Sequence, residues 1–182
     1  VVAELAGLRF GLRIDRIDTL EGGQALLIDY KTGRSNSATS WMGERPDEPQ
    51  LPLYALAWSQ RDVDGEGPDD VGAIAFGQIH RAQTAFTGLG DGAGLPAGVI
   101  APEASRSKVV RAAAGSWRDW RATSERHLLA LATGYAAGIA GVDPKHAKVC
   151  ERCDLHALCR VAELYGSDAD GDWDEIGESE ES

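Results

Sequence analysis

Residues 26–34, Leu-Leu-Ile-Asp-Tyr-Lys-Thr-Gly-Arg, constrain the chain more than any other stretch. Three apolar residues, Leu26, Leu27 and Ile28, run straight into Asp29, Tyr30 and Lys31. A short apolar run of this kind, closed by the turn-forming pair Thr32-Gly33, predicts a buried strand. Side chains two apart in a strand point the same way, so Asp29 and Lys31 share a face at its end. Charged residues are rarely buried unless paired. Composition alone is satisfied by structural ion pairs, Asp29 with Lys31 and Asp15 with Arg13 or Arg16. The other explanation is chemical: an acid and an ammonium at the rim of a sheet are placed to bind a metal and orient a water.

The flanking segments support a sheet. Residues 5–18 alternate at Leu8, Phe10, Leu12 and Ile14, which predicts one strand, bent where the parity shifts around residues 15–17. Gly22-Gly23 within residues 19–24 predicts a hairpin turn, so two antiparallel strands bring Asp15 toward Asp29. Residues 35–49, with Pro46 and Pro49, predict a loop. Over residues 50–60, Leu51, Tyr54, Ala55 and Trp58 recur at helical spacing, with Pro52 compatible only with the first turn. Gln50 and Tyr54 then share a helix face. Residues 61–70 predict an acidic, turn-rich loop and residues 71–80 a central strand. Residues 81–115 predict loops with one short strand. Residues 116–138 predict a helix capped by Ser116, with Trp117, Trp120, His127, Leu128, Leu131 and Tyr135 along its apolar stripe. A short helix is expected around residues 155–164.

Two carboxylates from adjacent strands suit Mg²⁺ or Mn²⁺, hard cations that prefer oxygen ligands and keep positions open for a phosphate oxygen and water. Lys31 is placed to orient that water or help deprotonate it. In order along the chain, GLRIDRID (residues 11–18), IDYKTG (28–33) and QLPLY (50–54) resemble the PD-(D/E)xK nuclease superfamily. They are similar in particular to its RecB-like exonuclease branch, which includes the AddB type. That branch carries a Gly-x-x-x-Asp strand, an Asp-x-Lys strand and a Gln-x-x-x-Tyr helix.

The resemblance implies an α/β fold, a restriction-endonuclease-like mixed β-sheet flanked by helices. It implies a Mg-dependent deoxyribonuclease, an exonuclease of DNA repair and recombination working beside a helicase subunit or domain. Asp15 and Asp29, with the backbone carbonyl of Tyr30, would hold the metal, and Lys31 would be the catalytic lysine. Gln50 and Tyr54 would support the site and touch DNA, while Asp18 is expected to face solvent. The branch's first motif, a Glu or His on an upstream helix, has no counterpart in the ten residues before Gly11. The chain starts at Val1 without a methionine and is expected to be the C-terminal nuclease part of a larger repair or recombination protein. The rival is a catalytically idle module that grips DNA or a protein partner. Arg9, Arg13, Arg16, Arg34, Trp41 and Arg45 outline a DNA path, with Arg34 and Arg45 beside the site in sequence. Phosphate contacts of that kind carry no sequence information.

Three cysteines, Cys150, Cys153 and Cys159, are clustered and odd in number, which argues for a metal or cluster site over a disulfide framework. Zinc and iron–sulfur clusters normally take four ligands. The same branch implies a 4Fe-4S cluster whose fourth cysteine lies far upstream; His146 or His156 is the substitute in a zinc site. The net charge of −11 argues against a nucleic-acid enzyme until it is located. Residues 166–182 hold eight acids and no base, leaving the remainder at −3, and such a run is expected to be a solvated tail. The expected organisation is a nuclease-like core over 1–142, a cysteine segment over 143–165 and an acidic tail over 166–182. No apolar run approaches the ~20 residues of a membrane span, and no basic-then-apolar leader is present, which together imply a cytoplasmic protein.

Overall fold

The computed structural model describes residues 1–33, 37–61, 70–81, 83–151, 153–161 and 163. The acidic tail expected over 166–182, most of the loop expected over 61–70 and the end of the helix expected around 155–164 lie outside the described residues. The chain forms two compact units, Val1–Gly138 and Ile139–Ser182.

The first unit is built on a five-stranded mixed sheet in the order β3-β4-β5-β6-β7. Its strands are β3 (Arg16–Thr19), β4 (Ala25–Lys31), β5 (Val71–His80), β6 (Gln83–Gly90) and β7 (Val99–Ile100). The pairs β3/β4 and β5/β6 are antiparallel, whereas β4/β5 and β6/β7 are parallel. A parallel pair needs a crossover, and α1 (Gln50–Gln60) lies in the one between β4 and β5. Residues 25–29 of β4 are buried without interruption, which is why the strand reads as an apolar run rather than an alternation.

The strand's period of two sorts the core into two layers. Leu27, Ile74 and Phe76 face the helices, where they join Leu51, Tyr54 and Trp58 of α1, Val110 of α2 (Lys108–Ala114), and Trp117 and Trp120 of α3 (Trp117–Ala136). Trp41 packs here on Phe76, with ring centroids 4.9 Å apart, and Trp117 stacks on Trp120 at 5.0 Å. Leu26, Ile28, Ala73 and Ala75 face the other side with Leu20 and Val99. Ser116 caps α3 in a reciprocal capping box with Asp119, as the sequence predicts. The buried face of α3 is narrower than the expected stripe. It runs through Trp117, Trp120, Ser124, Leu128 and Ala132, while Leu131 and Tyr135 are exposed.

Two regions differ from expectation. The single bent strand over residues 5–18 is three strands: β1 (Val2–Leu5) and β2 (Leu8–Gly11) form a separate hairpin, and β3 begins only at Arg16. The hairpin turns on Ala6 and Gly7, both with positive φ, a conformation glycine adopts freely and alanine rarely. It packs Leu5 against Leu56 of α1 and Leu128 and Ala132 of α3. Residues 81–115 contain the eight-residue β6, β7 and α2 rather than loops with one short strand. The glycines that read as strand breakers are what the pairing demands. A Cβ at Gly88 would meet the carbonyl oxygen of Ile74 at 2.4 Å, and one at Gly90 the Cβ of Ala73 at 2.4 Å.

In the second unit, α4 (Ala147–Glu151) and α5 (His156–Cys159) are short helices. Among the described residues no helix is long and apolar enough to cross a membrane.

Candidate active site

The end of β4 carries the site. Asp29 is 3% exposed, and Lys31 lies two residues on, on the same face of the strand. The Lys31 ammonium stands 2.9 Å from Asp29 Oδ2. That contact is an ion pair without hydrogen-bond geometry, so Oδ2 is buried with no hydrogen bond of its own among the described residues. The ammonium also lies over the ring of Phe76, 5.6 Å from its centroid. Lys31 donates to Gln50 Oε1 at 3.1 Å and has Glu48 Oε2 at 3.7 Å.

From Lys31 a directed chain of hydrogen bonds crosses the site. Gln50 presents its carbonyl oxygen to the ammonium, which leaves its amide nitrogen to donate to Tyr54 Oη at 2.7 Å. The phenol, having accepted that bond, donates its proton to the backbone carbonyl of Arg13 at 2.6 Å. An ammonium has only donors, so it fixes the orientation of the amide, and the amide fixes that of the phenol. The chain ends on the segment between β2 and β3 that carries Asp15. Asp15 Oδ2 in turn accepts the backbone N–H of Tyr30 at 3.0 Å. Both ends of the constellation are thus held, Asp15 by the backbone of β4 and by the Tyr54 anchor two residues earlier. Gln78 of β5 donates to the carbonyl of Gly33 at 2.9 Å, which pins the turn beyond Lys31.

Burial, first of all, raises the Asp29 pKa above the carboxylate's ordinary value. The Lys31 ammonium pulls it back, and the carboxylates of Asp15 and Glu48 push it up again. Burial works to lower the pKa of Lys31, but Asp29 and Glu48 outweigh it, and the net shift is upward. Lys31 is therefore an ammonium at neutral pH, equipped to orient an anion or a water rather than to take a proton.

The other sequence-predicted residues fall into three groups. Gln50 and Tyr54 join the site, but Tyr54 is 4% exposed and its hydroxyl is engaged on both sides. It holds the Asp15 segment; it has no surface with which to touch DNA. The Tyr30 side chain lies on the opposite sheet face, where a Cβ on Gly77 would meet its ring at 2.7 Å and where Arg16 donates to its hydroxyl at 3.3 Å. Arg16 also pairs with Asp18 at 2.7 Å, and Arg9 pairs with Glu4 at 3.1 Å. Trp41, expected on a DNA path, is a core residue at 2% exposure. Arg45 is exposed in the loop before α1, and Arg34 lies outside the described residues.

The cysteines form no such constellation. Cys150, Cys153 and Cys159 are half-buried free thiols, and the short helices that carry them are tied by local bonds such as Cys153 N–H to the Cys150 carbonyl at 3.0 Å. Among the described residues no three His, Cys, Asp or Glu side chains are grouped to hold a metal ion. The 4Fe-4S expectation therefore finds no support in the thiols, and His156 is engaged with the Cys150 carbonyl.

Glu48 is the site residue that sequence reasoning missed. It sits in a loop without periodicity, and its one signal is position, a carboxylate two residues before the glutamine that opens α1. A groove of about 190 Å³ between α1 and α3, lined by Pro52, Leu56, Trp120 and Arg121 among others, includes none of these site residues.

The family model of the PD-(D/E)XK nuclease superfamily covers residues 2–160, which includes β3, β4, α1 and all three cysteines. No curated protein matches the chain, and no solved structure does. With that coverage and a mixed sheet that presents Asp29 and Lys31 at a strand end, the chain belongs to the PD-(D/E)XK nuclease superfamily.

Proposed function

We propose that this chain is a metal-dependent deoxyribonuclease domain of the RecB-like branch, an exonuclease acting in DNA repair and recombination alongside a helicase subunit or domain. The single observation that carries the catalytic reading is the buried Asp29 carboxylate paired with the Lys31 ammonium at 2.9 Å on one face of the end of β4, with the Asp15 carboxylate held on the N–H of the residue between them.

Nucleases of this superfamily generally use divalent metal ions. The donors here fit one: Asp15 and Asp29 are hard oxygen ligands, and the carbonyl of Tyr30 is the third expected. When bound, such an ion lowers the pKa of a water and neutralises charge developing on the phosphodiester. Lys31 does the remaining work from its fixed place on β4. Its ammonium orients the attacking water and faces the phosphate, and Gln50 keeps it aimed. Tyr54 acts through Arg13 and Asp15 as a positioning residue. Arg34 and Arg45 are proposed phosphate contacts that set register without reading bases.

The nuclease core is assigned to residues 1–142 and the cysteine segment to 143–165. The test is cleavage of single- and double-stranded DNA ends with Mg²⁺ or Mn²⁺, comparing the chain with Asp29→Ala and Lys31→Ala. Both substitutions are expected to abolish cleavage, and activity unchanged by both would sink the catalytic assignment. Binding of DNA without cleavage would instead favour an idle module.

A further inference from the structure

Several cations of the hairpin, the sheet and the long helix stand against acids: Arg9 pairs with Glu4, Arg16 with Asp18, Lys31 with Asp29 and Arg121 with Asp70. Residues 104–118 break that pattern. They hold Arg106, Lys108, Arg111 and Arg118 and no acid, in a chain whose net charge is −11. All four are exposed, and among the described residues Arg106, Lys108 and Arg111 form no ion pair. The flanking acids are Glu103, which is exposed, and Asp119, which is engaged in the Ser116 capping box.

Nothing in the local structure asks for this charge. Lys108 and Arg111 share one side of α2, where like charges repel. Lys108 also opens the helix, the end that acids stabilise and cations do not. The apolar side of α2 is used by the core, in which Val110 and Ala114 are buried. The segment is nonetheless held in place. Ser107 caps α2 by accepting the N–H of Val110 at 3.4 Å, its own N–H donates to the Ser105 hydroxyl at 3.2 Å, and Arg111 donates to the Ser105 carbonyl. The cations therefore stand on a fixed surface, and that surface adjoins the site. Helix α2 packs against the 3-10 turn Ala38–Trp41. Trp41 of that turn packs on Phe76, whose ring lies under the Lys31 ammonium.

We infer that Arg106, Lys108 and Arg111 form a phosphate-binding track that leads the DNA backbone to the end of β4. Cations without acid partners on a fixed surface take up phosphates, release the counterions of the DNA and read no bases. The inference rests on the nuclease reading and adds the course of the substrate to it.

The test is fluorescence anisotropy of an end-labelled single-stranded oligonucleotide titrated with the full chain in EDTA, repeated between about 50 and 200 mM NaCl. The double variant Arg106→Gln/Lys108→Gln is expected to bind about 10-fold more weakly at the lowest salt, and its slope of log affinity against log salt to be shallower by about 1.4, the value for two lost phosphate contacts. The loss is expected to be the same for oligonucleotides of different sequence. Arg126→Gln/Lys148→Gln, which removes the same charge from exposed positions elsewhere, keeps the wild-type affinity and slope. Unchanged circular dichroism of both variants separates loss of contacts from loss of fold. In cleavage with Mn²⁺ the Arg106/Lys108 variant is expected to show a raised KM and an unchanged kcat. Wild-type affinity and slope in that variant, or equal losses in the two double variants, overturn the track, and cleavage that still depends on Asp29 leaves the nuclease reading standing. Loss of slope confined to the Arg106/Lys108 variant in a chain that cleaves no DNA upholds the track and overturns the nuclease reading. No DNA binding and no cleavage by the wild-type chain overturn both.

Discussion

The end of β4 and the cysteine segment both carry metal-ligating side chains, and they differ in what holds those side chains still. Asp29 and Lys31 sit on a strand paired on both edges, above a layer formed by Phe76 and Trp41. Their neighbours Gln50 and Tyr54 ride on the crossover helix that the parallel pairing of β4 and β5 requires. Each polar atom is aimed by the fold before any ligand arrives. Cys150, Cys153 and Cys159 sit on and beside two helices of five and four residues, tied by local backbone bonds. Helices that short have little stability of their own. A motif written across tertiary structure is thus preorganised, whereas one written along a local segment depends on its ligand for order.

The contrast can be broken by substitution. The largest expected effect is at Asp15: Asn in its place is expected to slow cleavage of end-labelled DNA on the order of 10²–10³-fold, the loss typical of removing one preorganised electrostatic group. A rate within threefold of wild type would take Asp15 out of the site. Tyr54→Phe is next. It removes the proton given to the Arg13 carbonyl and the acceptor for Gln50. Urea unfolding is expected to show a loss of about 1–3 kcal/mol, and cleavage to fall about 10- to 100-fold, as for a residue that orients ligands. The smallest effect belongs to the other region. Changing Cys150, Cys153 and Cys159 together to Ser is expected to shift the urea transition of the chain by no more than about 0.5 kcal/mol. A larger shift, or absorbance near 400 nm after anaerobic purification, would mean that the thiols hold something that orders them.

How much of this was legible in the sequence depends on the range of the forces involved. The pairing of Asp29 with Lys31, the shared face of Gln50 and Tyr54, and the Ser116 cap follow from periods of 2 and 3.6 and from a cap whose chemistry is local. The β1–β2 hairpin was hidden because Ala6 occupies a left-handed position that its side chain disfavours. Strand β6 was hidden because Gly88 and Gly90 answer to the neighbouring strand, which no local pattern records. Glu48 was invisible for the same reason, since only folding brings its loop to Lys31. The sheet parity that put Asp29 at the site also placed the Tyr30 side chain on the opposite face, against Gly77.

Whether Asp29 and Lys31 form a cation site or a structural ion pair is the central question, and one measurement separates the two. Burial raises the pKa of Asp29 despite its partner, so in the folded chain its charge costs stability at neutral pH. That cost is complete above the raised pKa and fades as pH falls through it toward the ordinary 3.8. Thermal unfolding of the wild-type chain and Asp29→Asn, with EDTA and then across a Mn²⁺ titration, reads both terms. Without metal at pH 7 the variant is expected to melt at or above the wild-type temperature, with the difference closing as the pH is lowered. With Mn²⁺ the wild-type chain is expected to rise in melting temperature while the variant stays where it was. A variant that melts lower without metal, and a wild-type chain that Mn²⁺ leaves unmoved, would make the pair structural and contradict the account.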